Sequence, residues 1–227
     1  MGNFYANFTI RIDAADAVTG TLQNAKRDAF FAHDPKTRCV VIFERETDSQ
    51  DAAAIVKLGK LLSTRLNAPV IAAANEDDDV FRYWLFRDGK QIDSFDSSFE
   101  KVSEQNFIGA SGGRVVISKW DPNNPDAVRA SNSSTWQPAA RKKDERGGNV
   151  ALLTEAFGVP AAAEKVMKVL LKEYDFVLDQ HRAFCKAVGL SPWAVGGGFG
   201  YVASNQLPKG LRPSQLVRVS RVGTAHR

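Results

Sequence analysis

The sequence predicts an α+β fold, in which a ferredoxin-like β-α-β-β-α-β sheet is extended by a β-hairpin and followed by a C-terminal helical region. Three observations predict it. Residues 4–12 alternate apolar and polar side chains with the two-residue period of a strand. Residues 55–66 carry apolar side chains at helical spacing. Further short apolar runs, bounded by turn residues, fall around these two segments in strand order.

In β-strand order, Phe4, Ala6, Phe8, Ile10 and Ile12 point one way and Tyr5, Asn7, Thr9 and Arg11 the other, which predicts a strand with one face in a core. Asp13 stands as N-cap of a short helix in which Val18, Leu22 and Ala25 recur, weakened by Gly20. The runs Ala29–Ala32 and Cys39–Phe43 flank His33-Asp34-Pro35-Lys36, whose turn chemistry predicts a hairpin. The second helix places Ile55, Leu58, Leu62 and Leu66 on one stripe, with Asp48 or Ser49 as its start and Asn67 before Pro69 as its stop. A buried strand follows at Val70–Ala74, and a hairpin over 80–95 turns at Asp88-Gly89, a pair that favours the type I′ turn.

This divides the chain into a sheet unit (1–98), a linker or insertion rich in Ser, Gly, Asn and Pro (99–148), with one strand-like stretch at Arg114–Ser118, and a helical region (149–227) with predicted helices over 150–157, 161–172 and 174–188. The last ends at Gly189 and Pro192 in the usual stop order. The third region either stands alone or packs on the first as one domain.

Composition narrows the classes. Hydrophobic residues at 44% and charged residues at 25% belong to a folded chain that needs no metal or disulfide. Cys39 and Cys185 have no Cys or His at metal-ligand spacing and read as buried thiols. Neither a membrane span nor an export segment is visible, so a cytoplasmic protein with no membrane partner is expected. The net charge of +4 hides an asymmetry: residues 1–110 carry 13 Lys/Arg against 17 Asp/Glu, residues 111–227 carry 17 against 9, and no acid follows Asp179. Such a division suits an acidic protein partner, nucleic acid, or the acidic half of the same chain.

Four candidate sites emerge. The predicted strand order brings Glu44, Glu46 and Asp48 to the same sheet edge as Glu76, Asp77, Asp78 and Asp79. That cluster suits a basic protein partner or a divalent cation, or is a soluble charged turn; its consecutive acids lack the alternation of a calcium loop. In Gly196-Gly197-Gly198-Phe199-Gly200-Tyr201, the letters of a dinucleotide fingerprint occur without the strand before and helix after that the chemistry requires. A tight packing loop, in which glycines let Trp193, Phe199 and Tyr201 approach backbone, or a ligand loop is expected instead. His181 shares a stripe with Val177, Phe184, Cys185 and Val188 and reads as a hydrogen-bonded residue at the core margin. The tail beyond Leu207, with Arg212, Arg218 and Arg221, is a solvated or intramolecular arm, or one that touches phosphates. No catalytic triad, metal site or cofactor is read.

Three stretches, Met1-Gly2-Asn3-Phe4-Tyr5-Ala6-Asn7-Phe8-Thr9, the acid-to-aromatic Asn75-Glu76-Asp77-Asp78-Asp79-Val80-Phe81-Arg82-Tyr83-Trp84 and Ala194-Val195-Gly196-Gly197-Gly198-Phe199-Gly200-Tyr201-Val202, together resemble a loose group of uncharacterised bacterial proteins of about this length. The resemblance implies that the N-terminal sheet and the Gly-rich loop belong to one unit; it implies no activity. The leading expectation is a non-catalytic protein-binding protein of the immunity or antitoxin type. An enzyme or small-ligand protein, with a pocket between sheet and Gly-rich loop, is the alternative, and nucleic-acid binding through the tail is third.

Overall fold

A computed structural model describes residues 3–77, 79–100, 105–108, 114–117 and 147–221. The elements are β1 (Tyr5–Arg11), α1 (Ala15–Asn24), β2 (Ala29–Asp34), β3 (Cys39–Glu44), α2 (Ala52–Arg65), β4 (Val70–Glu76), β5 (Val80–Arg87), β6 (Lys90–Asp96), β7 (Gln105–Ile108), β8 (Arg114–Ile117), α3 (Val150–Ala156), α4 (Ala163–Leu171), α5 (Val177–Val188), α6 (Phe199–Ala203) and β9 (Leu216–Val219). The chain is therefore α+β. It divides into two units, 1–96 with 147–227, and 97–146, the latter holding the antiparallel β7–β8 pair. Among the described residues no helix is long and apolar enough to cross a membrane.

The first unit is built on a seven-stranded antiparallel sheet in the order β6-β5-β4-β1-β3-β2-β9. β1 lies at its centre, pairing with β3 on one side (Ile10 opposite Val40) and β4 on the other (Tyr5 opposite Asn75). Because both partners run antiparallel to β1, they run parallel to each other, and their C-terminal ends share one edge.

The two faces of the sheet are both covered. On one, Ala6, Phe8 and Ile10 join Val40, Ile42, Val70 and Ala72 against Val18 and Leu22 of α1 and Ile55, Leu58 and Leu62 of α2. On the other, Val41, Phe43, Ile71, Phe81, Tyr83 and Leu85 meet Leu153 of α3, Val166 and Leu170 of α4, and Phe184 and Val188 of α5. β1 is thus buried on both sides, Asn7 and Thr9 included, rather than on one face as its alternation predicts. The polar side of the strand is covered by residues that arrive some 170 positions later in the chain.

Local signals differ from the sequence expectation in two places and agree with it in two others. α1 is capped at Ala14 without a side-chain bond, because Asp13 is drawn instead into an ion pair with Arg38. α2 starts one turn later than Asp48 or Ser49: Asp51 is its N-cap and accepts from the Ala53 N–H (2.9 Å), while Thr47–Ser49 form a 3₁₀ turn. Asp88 and Gly89 both have positive φ, as a type I′ turn requires. Gly189 closes α5 in the left-handed conformation expected of a helix stop.

Candidate functional site

At the edge where β3 and β4 end, three segments distant in sequence come together: the start of β1, the end of β4 and the loop 194–201. Asn7, on β1, donates through Nδ2 to the carbonyls of Ala194 (2.7 Å) and Gly197 (2.7 Å). The Tyr201 hydroxyl accepts from the Phe4 N–H (3.2 Å). Gln50 donates to the Asn75 carbonyl (2.6 Å), fastening the turn after β3 to the end of β4.

Asp48 is the pin of this arrangement. Its carboxylate accepts from the N–H groups of Phe199 (2.9 Å) and Gly200 (2.8 Å), at the start of the five-residue helix α6. Burial raises its pKa, and backbone hydrogen bonds from Gly200, Phe199 and Ala6 oppose that rise. Gly198 has to be glycine here, since a Cβ at that position would collide with the Asp48 carboxylate and with Tyr5 Cβ, 2.7 Å away. A short helix therefore does follow the Gly-rich loop, against the sequence reading, but the 3₁₀ turn Pro192–Ala194 rather than a strand precedes it, and Asp48 holds the first of its N–H groups. Asp48→Ala removes the acceptor of both N–H groups and is expected to cost about 1–3 kcal/mol in a denaturant titration.

Most of the seven acids are engaged within the chain. Glu44 is fully buried, 3.4 Å from Arg27, and accepts from the Thr47 N–H (2.9 Å). Glu46 pairs with Arg27 and with Arg221, and Glu76 with Arg82 (2.7 Å). Asp77 and Asp79 are exposed at the β4–β5 turn; Asp78 lies outside the described residues. Among the described residues no three His, Cys, Asp or Glu side chains gather to hold a metal ion.

His181 lies deeper than the core margin. It is 1% exposed, its Nδ1 is 2.8 Å from the Tyr5 hydroxyl, and its ring stacks on Phe81 with centroids 5.0 Å apart. Burial, with a smaller contribution from Arg182, lowers its pKa to about 3. The neutral ring of the folded state thus faces a chain that, unfolded, takes up a proton near pH 6.5. Stability tied to His181 is complete above that pH and is lost as pH falls toward 3. Thermal melts between pH 7 and 5 should show a smaller acid-induced loss for His181→Gln than for the wild type.

Trp193 is likewise packed into the core with Leu211 and Val202, and Tyr201 is half-buried at the surface. His181, Trp193 and Tyr201 lie outside two surface grooves of the described residues, one of about 530 Å³ between α1 and α2 (Ala17, Gly20, Leu61, Arg65) and one of about 320 Å³ beside α5 (Arg182, Cys185, Lys186, Leu190).

The tail is part of the sheet. β9 pairs with β2, Phe30 opposite Arg218, and forms one edge of the sheet. Arg218 bonds Asp28 (2.5 Å) and lies over the rings of Phe30 (4.3 Å) and Phe199 (5.1 Å), while Arg221 reaches Glu46 and the Lys26 carbonyl (2.9 Å). Arg212 bonds locally, its N–H to Gln215 (3.0 Å). The acidic and basic halves of the chain are thus partners of each other at these residues. Sequence reading missed β9 because four residues, Leu-Val-Arg-Val, are too few for alternation to register.

No family model, curated protein or solved structure matches the chain.

Proposed function

We propose that this is a non-catalytic protein-binding protein, acting in the cytoplasm through the rim formed by Phe4, Tyr201 and the β4–β5 turn. The observation that carries the reading is an aromatic residue left in water among acids: Phe4 is 50% exposed, and the Tyr5–Asn75 pairing beside it sets it against the turn that bears Asp77 and Asp79. An exposed aromatic side chain beside a patch of one charge suits a protein partner with a basic surface, the aromatic group giving affinity and the acids orientation. The immunity or antitoxin type is the kind of non-catalytic binder that such a rim would suit.

The strand order β4-β1-β3-β2 within the sheet supports reading residues 5–76 as a ferredoxin-like unit to which β5, β6 and β9 add. In the enzyme alternative His181 and Trp193 would face a pocket, and their burial in the core speaks against it. The engagement of Arg218 and Arg221 with Asp28 and Glu46 leaves the tail less charge to offer a nucleic acid.

The test is affinity capture from an extract of the source organism with the full chain as bait. A stoichiometric basic protein is expected with the wild type and its loss with Phe4→Ser/Asp77→Lys. Recovery of no partner, or equal recovery by both baits, contradicts the reading.

A further inference from the structure

Beneath the Gly-rich loop, the sheet buries polar groups that no described residue satisfies. Asn7 and Asn75 are 1% and 0% exposed, yet Asn7 Oδ1 and both polar atoms of the Asn75 side chain have no hydrogen-bond partner among the described residues. Two other buried polar atoms, His33 Nε2 and Arg11 Nε, are also unpartnered, but they sit singly, on β2 and at the far end of β1.

Asn7 and Asn75 are neighbours. Asn75 faces Tyr5 and Asn7 faces Ala73 in the β1–β4 register, so the two amides are diagonal on one face of adjacent strands. The two amides make no hydrogen bond to each other, and diagonal positions on such a pair, about 7–8 Å apart, are close enough for a single bridging molecule. Ala73, between them, is small. Turning the amides over does not help. The Nδ2 of Asn7 is fixed by two carbonyls, and Asn75 lacks a partner for either atom. Buried amides without partners are costly, and proteins commonly satisfy such groups with an internal water that makes two to four hydrogen bonds.

We propose that Asn7 and Asn75 bind an internal water molecule that accepts from Asn75 Nδ2 and donates to Asn7 Oδ1, tying β4 to β1 and, through Asn7, to the Gly-rich loop. The water is then an integral ligand of the site, independent of what binds at the rim outside.

Two measurements on the full chain decide it. A crystal structure at about 1.5 Å should show an ordered peak 2.6–3.2 Å from Asn7 Oδ1 and from the Asn75 amide. Absence of that peak, or direct pairing of Asn75 with protein atoms, overturns the proposal. Asn75→Leu keeps the branched shape, expels the water and strands Asn7 Oδ1, so the melting temperature should fall by about 3 °C or more. If Asn75 sits dry and unpaired, the same substitution relieves a buried polar group, and an unchanged or higher melting temperature overturns the proposal. Should Asn75→Leu fail to fold, the crystallographic result decides alone.

Discussion

Arg27→Met is expected to lower the free energy of unfolding by about 3–5 kcal/mol, because it leaves Glu44 charged, fully buried and without its cation. For a chain of this size that corresponds to roughly 6–20 °C in melting temperature. Methionine keeps the length and apolar stem of the arginine, so the loss reports charge rather than volume. Glu46, also paired with Arg27, is half in solvent and is re-solvated at little cost, with Arg221 still beside it. The double variant Arg27→Met/Glu44→Gln should recover most of the loss, since glutamine still offers an oxygen to the Thr47 N–H. A single variant as stable as the wild type would mean that Glu44 has another route to solvent or charge.

The second large effect is at Gly197. A side chain there would meet the Phe43 ring at 2.5 Å, Pro208 at 2.8 Å and the Trp193 carbonyl at 3.1 Å. Rings and proline have little freedom to withdraw, and the carbonyl belongs to the loop itself. Gly197→Val should therefore cost about 1–3 kcal/mol or more, and should loosen the loop's hold on Asn7. By contrast Gly196, with positive φ and nothing within 4 Å, should lose only through backbone strain on substitution to alanine. Urea titration of the three proteins in parallel separates crowding from strain. Equal losses at Gly196 and Gly197 would refute the packing account.

How much of this was legible in the sequence varies with the range of the interaction. β1, α2 and the β5–β6 hairpin were readable because alternation, helical spacing and an Asp-Gly turn are local patterns. The second face of β1 was not. Tyr5, Asn7 and Thr9 look like a solvent face, and only the fold shows that His181, Ala194 and Gly197 cover them. Asp48 offers the same lesson, since its residue type suits a helix start or a cation as well as its actual task. Its partners lie some 150 residues away, and nothing near Asp48 in the chain announces them. The Gly-rich loop was legible as a close-packed loop, but what it packs on, Tyr5, Phe43 and Asp48, was not.

The rim is what remains exposed after those internal debts are settled. Glu44, Glu46, Asp48 and Glu76 bond to arginines or backbone, Glu46 and Glu76 while still partly in solvent, and Asp77 and Asp79 are exposed on the turn beside Phe4.

The most direct test of the proposed role is the affinity of the captured partner for surface variants, measured by calorimetry at fixed salt. Phe4→Ala and Asp77→Lys should each weaken binding tenfold or more with unchanged melting temperatures, while Met167→Ala, an exposed residue on α4, should leave it unaltered. Equal affinity for wild type, Phe4→Ala and Asp77→Lys would contradict the account.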